Sequence, residues 1–514
     1  AEHPEGFNVV DWLGRRNAEA LFVRRSGRPL QEGVPSYFTY QGFHRGYNLQ
    51  KRKLSTILAQ EHWVYDDRGS AALSGEELDA LSDALDEHYF REYVSAWRSY
   101  LEDLRLRRFD SSGSGRDLAQ VLAAGDAPLV RLLKGVRRHT ALTELPEGTA
   151  SAAQVADQLS ETAMPNQRRR LERLVPDGAM AGRLALPGQE VDDAFQDLNR
   201  FVASDDGAAL DRLQAALRQL SEHLDQLAGS RDQRQQAFSA ALDPQRNAPA
   251  LRELDQSLAA APVWVRQWLE PLTGDTRRIT AAGARRYVND VWQAEVISFY
   301  ERAIAGRYPL DPAATREVRI EDFTLFFGPE GILDEFFQRH IEPFVDTRRP
   351  VWRWRRSIGI SDRNLRVFQA AQRIRDAYFV GPGQPQVDFA LRPHSLDSAV
   401  VQALLETGGA QVSYQHGPVR TTPLQWKLDS STRSRLVLSL ASRDTPLSTT
   451  EEGQWSLFRL IEKHATQQPL GEADGVLLSF VIDGIAAEYV LQPLRAANPF
   501  THNDLRGFVL PKSL

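Results

Sequence analysis

The spacing of apolar residues changes period once along this 514-residue chain, and that change limits the fold more than any motif does. Up to about residue 306 the apolar positions recur every three or four residues. Beyond about residue 386 they alternate, or run in blocks of five to eight, between Gly, Pro, Asn and Asp. The first pattern gathers an apolar stripe on one side of a helix and the second gathers one on a strand. Exchanging the two elements would turn each buried face to water.

In the helical part, Ser74 with Glu77 three residues on forms a capping-box pattern. The larger residues Leu78, Leu81, Leu85, Tyr89, Tyr93, Trp97 and Leu101 then line one face of a long helix. "SSGSG" (111–115) is expected to be a linker, followed by helices near 117–123 and 128–140. Leu210, Leu213, Leu217, Leu220, Leu224 and Leu227 make a stripe shorter than three heptads, which fits a bundle helix better than a coiled coil. A further helix over 284–306 ends at Gly306. Residues 144–190, poor in aromatics and rich in Ala, Pro and Arg, are expected to form a weakly ordered connection.

After Arg307 the character is mixed. "FTLFFGPEGILDEFF" (323–337) packs five phenylalanines around a Gly-Pro-Glu-Gly. The expectation is a strand-like lead-in ending at Asp322 and Phe323, then a helix starting at Gly328-Pro329-Glu330. Its face would be Leu333, Phe337, Ile341 and Phe344, with Ile332 and Phe336 flanking and Asp334, Glu335 and Gln338 pointing elsewhere. Another helix is expected near 362–376. The blocks "VDFALRP", "AVVQALLET", "AQVSYQHG", "RLVLSLAS", "VLLSFVID" and "AAEYVLQP" read as strands, interrupted by one helix, "GQWSLFRLIEKHA". The fold class is therefore α+β. It comprises a helical-bundle part (1–143), a poorly ordered connection (144–190), a second helical part (191–306), a mixed segment (307–385) and an antiparallel, sandwich-like β-rich domain (386–514).

Several function classes fall away on composition. The net charge of −6 is small and argues neither for a nucleic-acid partner nor for an acidic lipid surface. Cysteine is absent, which removes disulfides, thiolate nucleophiles and Cys-based zinc sites together. No apolar run approaches the length needed to span a bilayer; the best, "GVLLSFVIDGIAAEYVL" (475–491), is broken by Asp483 and Glu488 and reads as a hairpin. The chain opens at Ala1 with methionine only at 164 and 180, which reads as a fragment or processed product, and no signal peptide is visible.

The search for chemistry is equally negative. The eleven histidines form no HxH or HExxH pattern. His416 in "YQHGP" is best explained as a hydrogen-bonded residue at a strand end, and Asp66-Asp67 near His62 as surface acids in a turn rather than a cation site. "VGPGQP" (380–385) lacks the glycines and the following helix of a dinucleotide loop. "RRPVWRWRR" (348–356) fits a strand with indoles inward and guanidiniums outward, or a partner interface, better than a base-stacking platform. No catalytic, cofactor-binding or metal-binding residue is assigned, and no small-molecule substrate.

The order and density of certain short motifs are more specific than any one of them. Trp292, Gly306-Arg307-Tyr308-Pro309, Asp322-Phe323, Phe326-Phe327-Gly328-Pro329, Gly331, Asp334 and Phe336-Phe337 are followed by "ALRP", "YQHGP" with Trp426, "WSLFRLI" and "NPF…LRGFVLP". Together they resemble the C-terminal part of the IcmF/TssM family of type VI secretion inner-membrane proteins. Upstream, "VPSYFTYQGF" and "YFREYVSAWRSYLEDLRL" are similar to it too. Leu310 departs from the family's more usual phenylalanine, an exchange of one apolar plug for another.

The resemblance implies a periplasmic, non-enzymatic scaffold that binds the outer-membrane lipoprotein TssJ through its β-rich part. It further implies assembly with TssL through the rest of the full-length protein, and a homo-oligomer in the assembled complex. A periplasmic cell-wall hydrolase is the alternative from another class. The partner-binding residues expected by position are His416, Gly417, Pro418, Arg420, Thr421 and Thr422 on one turn, and Asn498, Phe500, His502 and Asn503 on another segment.

Overall fold

A computed structural model describes residues 6–48, 50–51, 75–124, 128–144, 187–203, 208–244, 248–427, 433–471, 475–501 and 504–514, leaving aside the side chains of 75–79. The capping-box pattern at Ser74, the acids near His62 and residues 145–186 of the expected connection lie outside the described residues. Two compact units are present, Ala1–Thr280 and Ala281–Leu514.

The first unit is helical. Asn8 caps α1 (Val9–Leu13), its Oδ1 accepting from Val10 and Asp11 N–H at 3.0 Å. α2 (Arg15–Leu21) leads into β1 (Phe22–Arg24), which pairs antiparallel with β2 (Leu104–Leu106) directly after the long α3 (Gly75–Asp103). α3 buries Tyr89, Phe90, Tyr93, Trp97, Tyr100 and Leu101, continuing the expected apolar face. Leu81 and Leu85 at its start stay substantially exposed.

The stretch read as a linker is instead the start of a helix. α4 (Ser112–Ala123) is capped by Ser111, whose hydroxyl accepts from Ser114 N–H at 3.2 Å in a reciprocal capping box. Serine and glycine, ordinarily linker residues, are here a cap and a close-packing site: a Cβ on Gly115 would stand 2.5 Å from the Phe109 ring. α5 (Pro128–Thr140), α6 (Gln189–Ala194) and α7 (Gln196–Ala203) follow. The six leucines of α8 (Ala208–Gly229) are all buried, and α8 packs on α4 and on α10 (Pro249–Ala259), so it is a bundle helix; α9 (Gln233–Leu242) lies between them in the chain.

The helix expected from residue 284 begins much earlier. α11 (Val263–Val291) contains Pro271 and runs on through π-helical turns at Trp292–Ile297 and Tyr300–Ile304, ending near Gly306 at φ 64°. In the first unit Trp268 Nε1 donates to Leu101 O at 2.7 Å, so a large apolar ring is buried with its one polar atom satisfied. Asp275, fully buried, accepts from Arg108, Arg278 and Phe109 N–H. Burial alone would raise its pKa, but these hydrogen bonds and the Arg108 charge hold the carboxyl below its ordinary range.

In the second unit, "IEDFTLFF" is not a strand. α12 (Ile320–Phe327) buries Ile320, Phe323, Phe326 and Phe327, a spacing that only a helix brings to one side. Glu321 and Asp322 sit in its first turn, favoured there by the helix dipole. Gly328-Pro329-Glu330-Gly331 is the turn between two helices rather than a helix start: Gly328 N–H closes α12 on Thr324 O at 2.9 Å, and Glu330 takes φ 59°. α13 (Ile332–His340) then buries Leu333 and Phe336, with Ile341 and Phe344 buried beyond it and Phe337 half-buried. Asp334 faces inward, accepting from Glu330 N–H at 3.1 Å and Gln338 at 3.0 Å and pairing with Arg375 of α14 (Asp362–Tyr378). A two-stranded ladder of β3 (Val345–Asp346) and β4 (Arg353–Trp354) intervenes; Trp352 and Trp354 are half-buried while Arg353, Arg355 and Arg356 are exposed.

Two antiparallel sheets complete the unit. One orders β10 (Arg443–Glu452), β9 (Arg433–Leu440), β6 (Val400–Thr407) and β7 (Ala410–Tyr414). The other orders β11 (Ala465–Gly471), β12 (Gly475–Ile482), β13 (Ile485–Pro493), β5 (Gln386–Leu396) and β8 (Thr422–Lys427). The expected 475–491 hairpin is β12–β13, turned by Asp483 (φ 51°) and Gly484 (φ 83°), the Asp-Gly pair that a type I′ turn needs. β8, β10 and β11 had no strand signal in the sequence. All three are sheet edges, and each carries a proline, Pro423, Pro446 or Pro469, which a ladder tolerates at its margin.

Two predictions follow from this packing. Phe336 is buried against Trp292 at 5.0 Å and Phe368 at 6.1 Å. Phe336→Asp should abolish soluble folding, because a charge replaces a ring whose truncation alone costs about 3–5 kcal/mol; a soluble, cooperatively melting Asp variant would overturn this, with Phe336→Leu as the folded control. In the first unit His139 packs against Trp97, Phe7 and Trp12, its Nδ1 accepting from Tyr40 N–H at 3.2 Å. Burial, helped by the Arg138 charge, lowers its pKa to about 4. Its folded pKa lies below its unfolded one, so the unfolded chain binds the extra proton and stability falls as pH drops from about 6.5 to about 4, by at most about 3 kcal/mol. Melting temperatures across that window should show a smaller loss for His139→Gln; an unchanged slope removes His139 as the cause.

Candidate functional site

Each sheet of the β-rich domain has two edges, and they are treated differently. On one side, α15 (Ser456–His464) links the edge strands β10 and β11 and packs on both. There Glu451 accepts from Lys463 at 2.9 Å and meets His464 at 3.1 Å. Burial pushes the Glu451 pKa up, but the Lys463 and His464 bonds outweigh it and hold the carboxyl below its ordinary range. A helix and an ionic clasp brace the two strands there, although most side chains of β10 and β11 stay exposed.

The opposite edges are β7 and β8, which are consecutive in the chain and lie in different sheets. The segment joining them, residues 415–421, is exposed at all seven positions, and the large apolar Val419 keeps 47% of its surface. The expected partner turn, His416 to Thr422, therefore spans from one free sheet edge to the other. It is held in shape from behind. His416 adopts φ 54° and its Nε2 lies 2.7 Å from Val400 O at the start of β6. This is the structural histidine expected at a strand end, and it anchors the turn without closing it. Gly417, Pro418, Arg420 and Thr421 are fully displayed, and Thr422 is half-buried as β8 begins.

Among the described residues this arrangement presents two outer strand edges with no further strand on them and a pinned loop between them, and edges of this kind are able to accept a strand. The pattern in β8 sets which side chains such a partner would meet: Pro423, Gln425 and Lys427 point out, while Leu424 and Trp426 are buried.

The second expected segment is not brought to this surface. Asn498 is buried; its Nδ2 donates to Asp388 O of β5 at 3.1 Å, and its Oδ1 accepts from Phe500 N–H at 3.0 Å. The Phe500 ring packs against Phe389 and Phe458. These two residues brace β5 from within; His502 and Asn503 lie outside the described residues. Sequence reading missed Val419 and the edge strand β8, although Val419 sits beside a Gly-Pro that argues for exposure.

The motifs of the resemblance serve the frame behind this edge. Tyr308 OH donates to Glu462 at 3.0 Å, and the Arg459 guanidinium lies 3.9 Å over the Tyr308 ring while donating to Glu317 at 2.7 Å. Trp455 Nε1 donates to Val318 O at 2.8 Å. Trp292 Nε1 donates to Pro511 O at 2.9 Å and Tyr300 OH to Phe508 O at 3.0 Å, so the "LRGFVLP" segment is strapped along the helix by backbone carbonyls. Among the described residues no group of three His, Asp or Glu is placed to hold a metal ion, and no helix is long and apolar enough to cross a membrane.

Comparison with known proteins agrees along the length of the chain. Residues 1–141 match the family described as IcmF-related, intracellular multiplication and human macrophage-killing. Residues 389–495 match the type VI secretion protein IcmF C2-like domain. The type VI secretion system component TssM1 of Pseudomonas aeruginosa is 29% identical over 99% of the chain, which spans about half that relative's length (46%). Two solved structures share the fold. A type VI secretion system membrane core complex chain has a TM-score of 0.60 at 18% identity, covering 99% of this chain and 94% of its own. A type VI membrane complex chain has a TM-score of 0.56 at 19% identity, with 86% of each covered. With family matches at both ends and a relative aligned through the whole, the chain is similar to the IcmF/TssM family along its length.

Proposed function

We propose that this chain is a non-enzymatic periplasmic scaffold of the type VI secretion membrane complex, and that the open β7–β8 side of its β-rich domain docks the outer-membrane lipoprotein TssJ. The observation that carries the reading is the displayed turn 415–421, pinned by His416 between two free strand edges. The names of the relatives support the setting: one is a TssM1 component, and two structural neighbours come from membrane complexes of the same system. TssL and further copies of this protein would be joined through the rest of the full-length molecule. A scaffold needs surface held in shape rather than a reactive cavity, and the ion pairs and indole–carbonyl bonds behind the turn supply that rigidity.

Isothermal titration calorimetry of the chain with the soluble part of a cognate TssJ lipoprotein tests this. Saturable binding at micromolar concentrations is expected, and no heat at those concentrations would sink the lipoprotein reading. Arg420→Glu combined with Val419→Asp should weaken binding by about tenfold or more, about 1.4 kcal/mol. The melting temperature should not move, since both side chains are exposed. Full affinity in that variant would remove the turn from the interface.

A further inference from the structure

A cavity of about 240 Å³ opens in the second unit between α13, α14 and the segment after β3. Its walls are aromatic. Trp352 stacks on Phe337 with ring centres 4.8 Å apart and planes 25° apart, and Phe337 meets Phe368 at 5.4 Å. Its polar lining is Gln338, Glu342, Thr347, Gln372 and the pair of Asp334 and Arg375, whose side chains keep 13% and 25% of their surface. Asp334 is already committed to Arg375, Gln338 and Glu330 N–H, so it offers little to a cation.

Besides Asp334 one acid, Glu342, lines the cavity, but the segment beside it is rich in arginine. The segment that supplies Trp352 carries Arg348, Arg349, Arg353, Arg355 and Arg356, all exposed. Its one aspartate, Asp346, is occupied by Arg349 at 3.4 Å and Arg348 N–H at 3.3 Å. An aromatic slot beside a segment of exposed guanidiniums matches a ligand with an apolar group and carboxylates close together.

We propose that this cavity is a docking site for an acidic peptide segment of a partner protein. The peptide seats one aromatic or large aliphatic side chain against Trp352, Phe337 and Phe368, and its flanking carboxylates pair with the arginines of 348–356. The volume lies below the range of pockets that enclose a whole cofactor or drug-sized ligand, and suits a single side chain. Charge complementarity selects the acidic flanks. A nucleic acid is disfavoured because the chain as a whole carries −6 and would repel a polyphosphate. A bilayer is disfavoured because Trp352 and Trp354 are half-buried and cannot insert. The site shares no residue with the 415–421 turn and goes beyond the lipoprotein reading, which can fail without affecting it.

Fluorescence anisotropy with the intact chain tests the proposal. The probe is a fluorescein-labelled peptide of about twelve residues, one central phenylalanine among glutamates, with two controls: phenylalanine replaced by serine, and glutamates replaced by lysines. Saturable binding of the first peptide is expected, at least about tenfold tighter than either control and weakened by added salt. Trp352→Ala should reduce it about tenfold or more. Should that variant melt early, Arg353→Glu with Arg355→Glu, which alters only exposed side chains, should give the same loss. Equal binding of the serine peptide would overturn the cavity as the anchor, and retention by both variants would overturn the site. Tighter, Trp352-dependent binding of a single-stranded oligonucleotide or of phosphatidylglycerol vesicles would overturn the choice of partner. So would a concentration-dependent dimer lost in Trp352→Ala, which would make a second copy the occupant.

Discussion

The second unit depends on one junction, where a segment without regular structure is locked to the first turn of α15. Glu317 receives Arg459 and the Gln454 N–H, Trp455 donates to Val318 O, and Ile320 N–H donates to Gln454. Phe323 follows at once and meets Trp455 at 5.3 Å and Tyr378 at 5.2 Å, with Phe379 stacked on it. Because α15 also packs on both sheets, this contact ties the α12–α14 helices to the sheet pair. Burying each ring contributes roughly 1.5–3 kcal/mol, and the hydrogen bonds select one arrangement among those that would bury the same area.

Similar chemistry recurs in the first unit, in the indole that joins helix to helix. Trp97 and Trp268 each send their N–H to a backbone carbonyl, of Phe38 and Leu101. Asp275 ties the strand after α3 to α11 by collecting Arg108, Arg278 and a backbone N–H. A buried carboxylate is stabilising only when so fully partnered, since a buried charge left alone is expensive. The molecule thus holds its elements by a few satisfied polar anchors set in aromatic packing.

The edge strands of the β-rich domain are joined in two ways: α15 links β10 to β11, and a pinned turn links β7 to β8. Pro423 in β8 and the outward Lys427 limit indiscriminate strand pairing. The aromatic stretch at 323–337 likewise divides its labour: Phe323, Phe326, Phe327 and Phe336 are core, while Phe337 is left at the rim of a cavity.

The sequence by itself determined the class and most interior elements, because period 3.6 and period 2 report directly which face is buried. The α8 leucine stripe, the long α3, the β12–β13 hairpin and every interior strand of both sheets were legible in this way. The candidate turn was legible as well, from its Gly-Pro, whereas the inward placement of Asn498 and Phe500 was not. Only the tertiary structure decided elements whose identity comes from a neighbour. β8, β10 and β11 are strands because an adjacent strand supplies the ladder; β10 and β11 carry little alternating burial, and in β8 it is confined to Leu424 and Trp426. "SSGSG" starts a helix because Phe109 needs a glycine beside it, and "IEDFTLFF" coils because four of its side chains must reach one aromatic core. Local propensity is worth at most about 1 kcal/mol per residue, and these tertiary contacts exceed it.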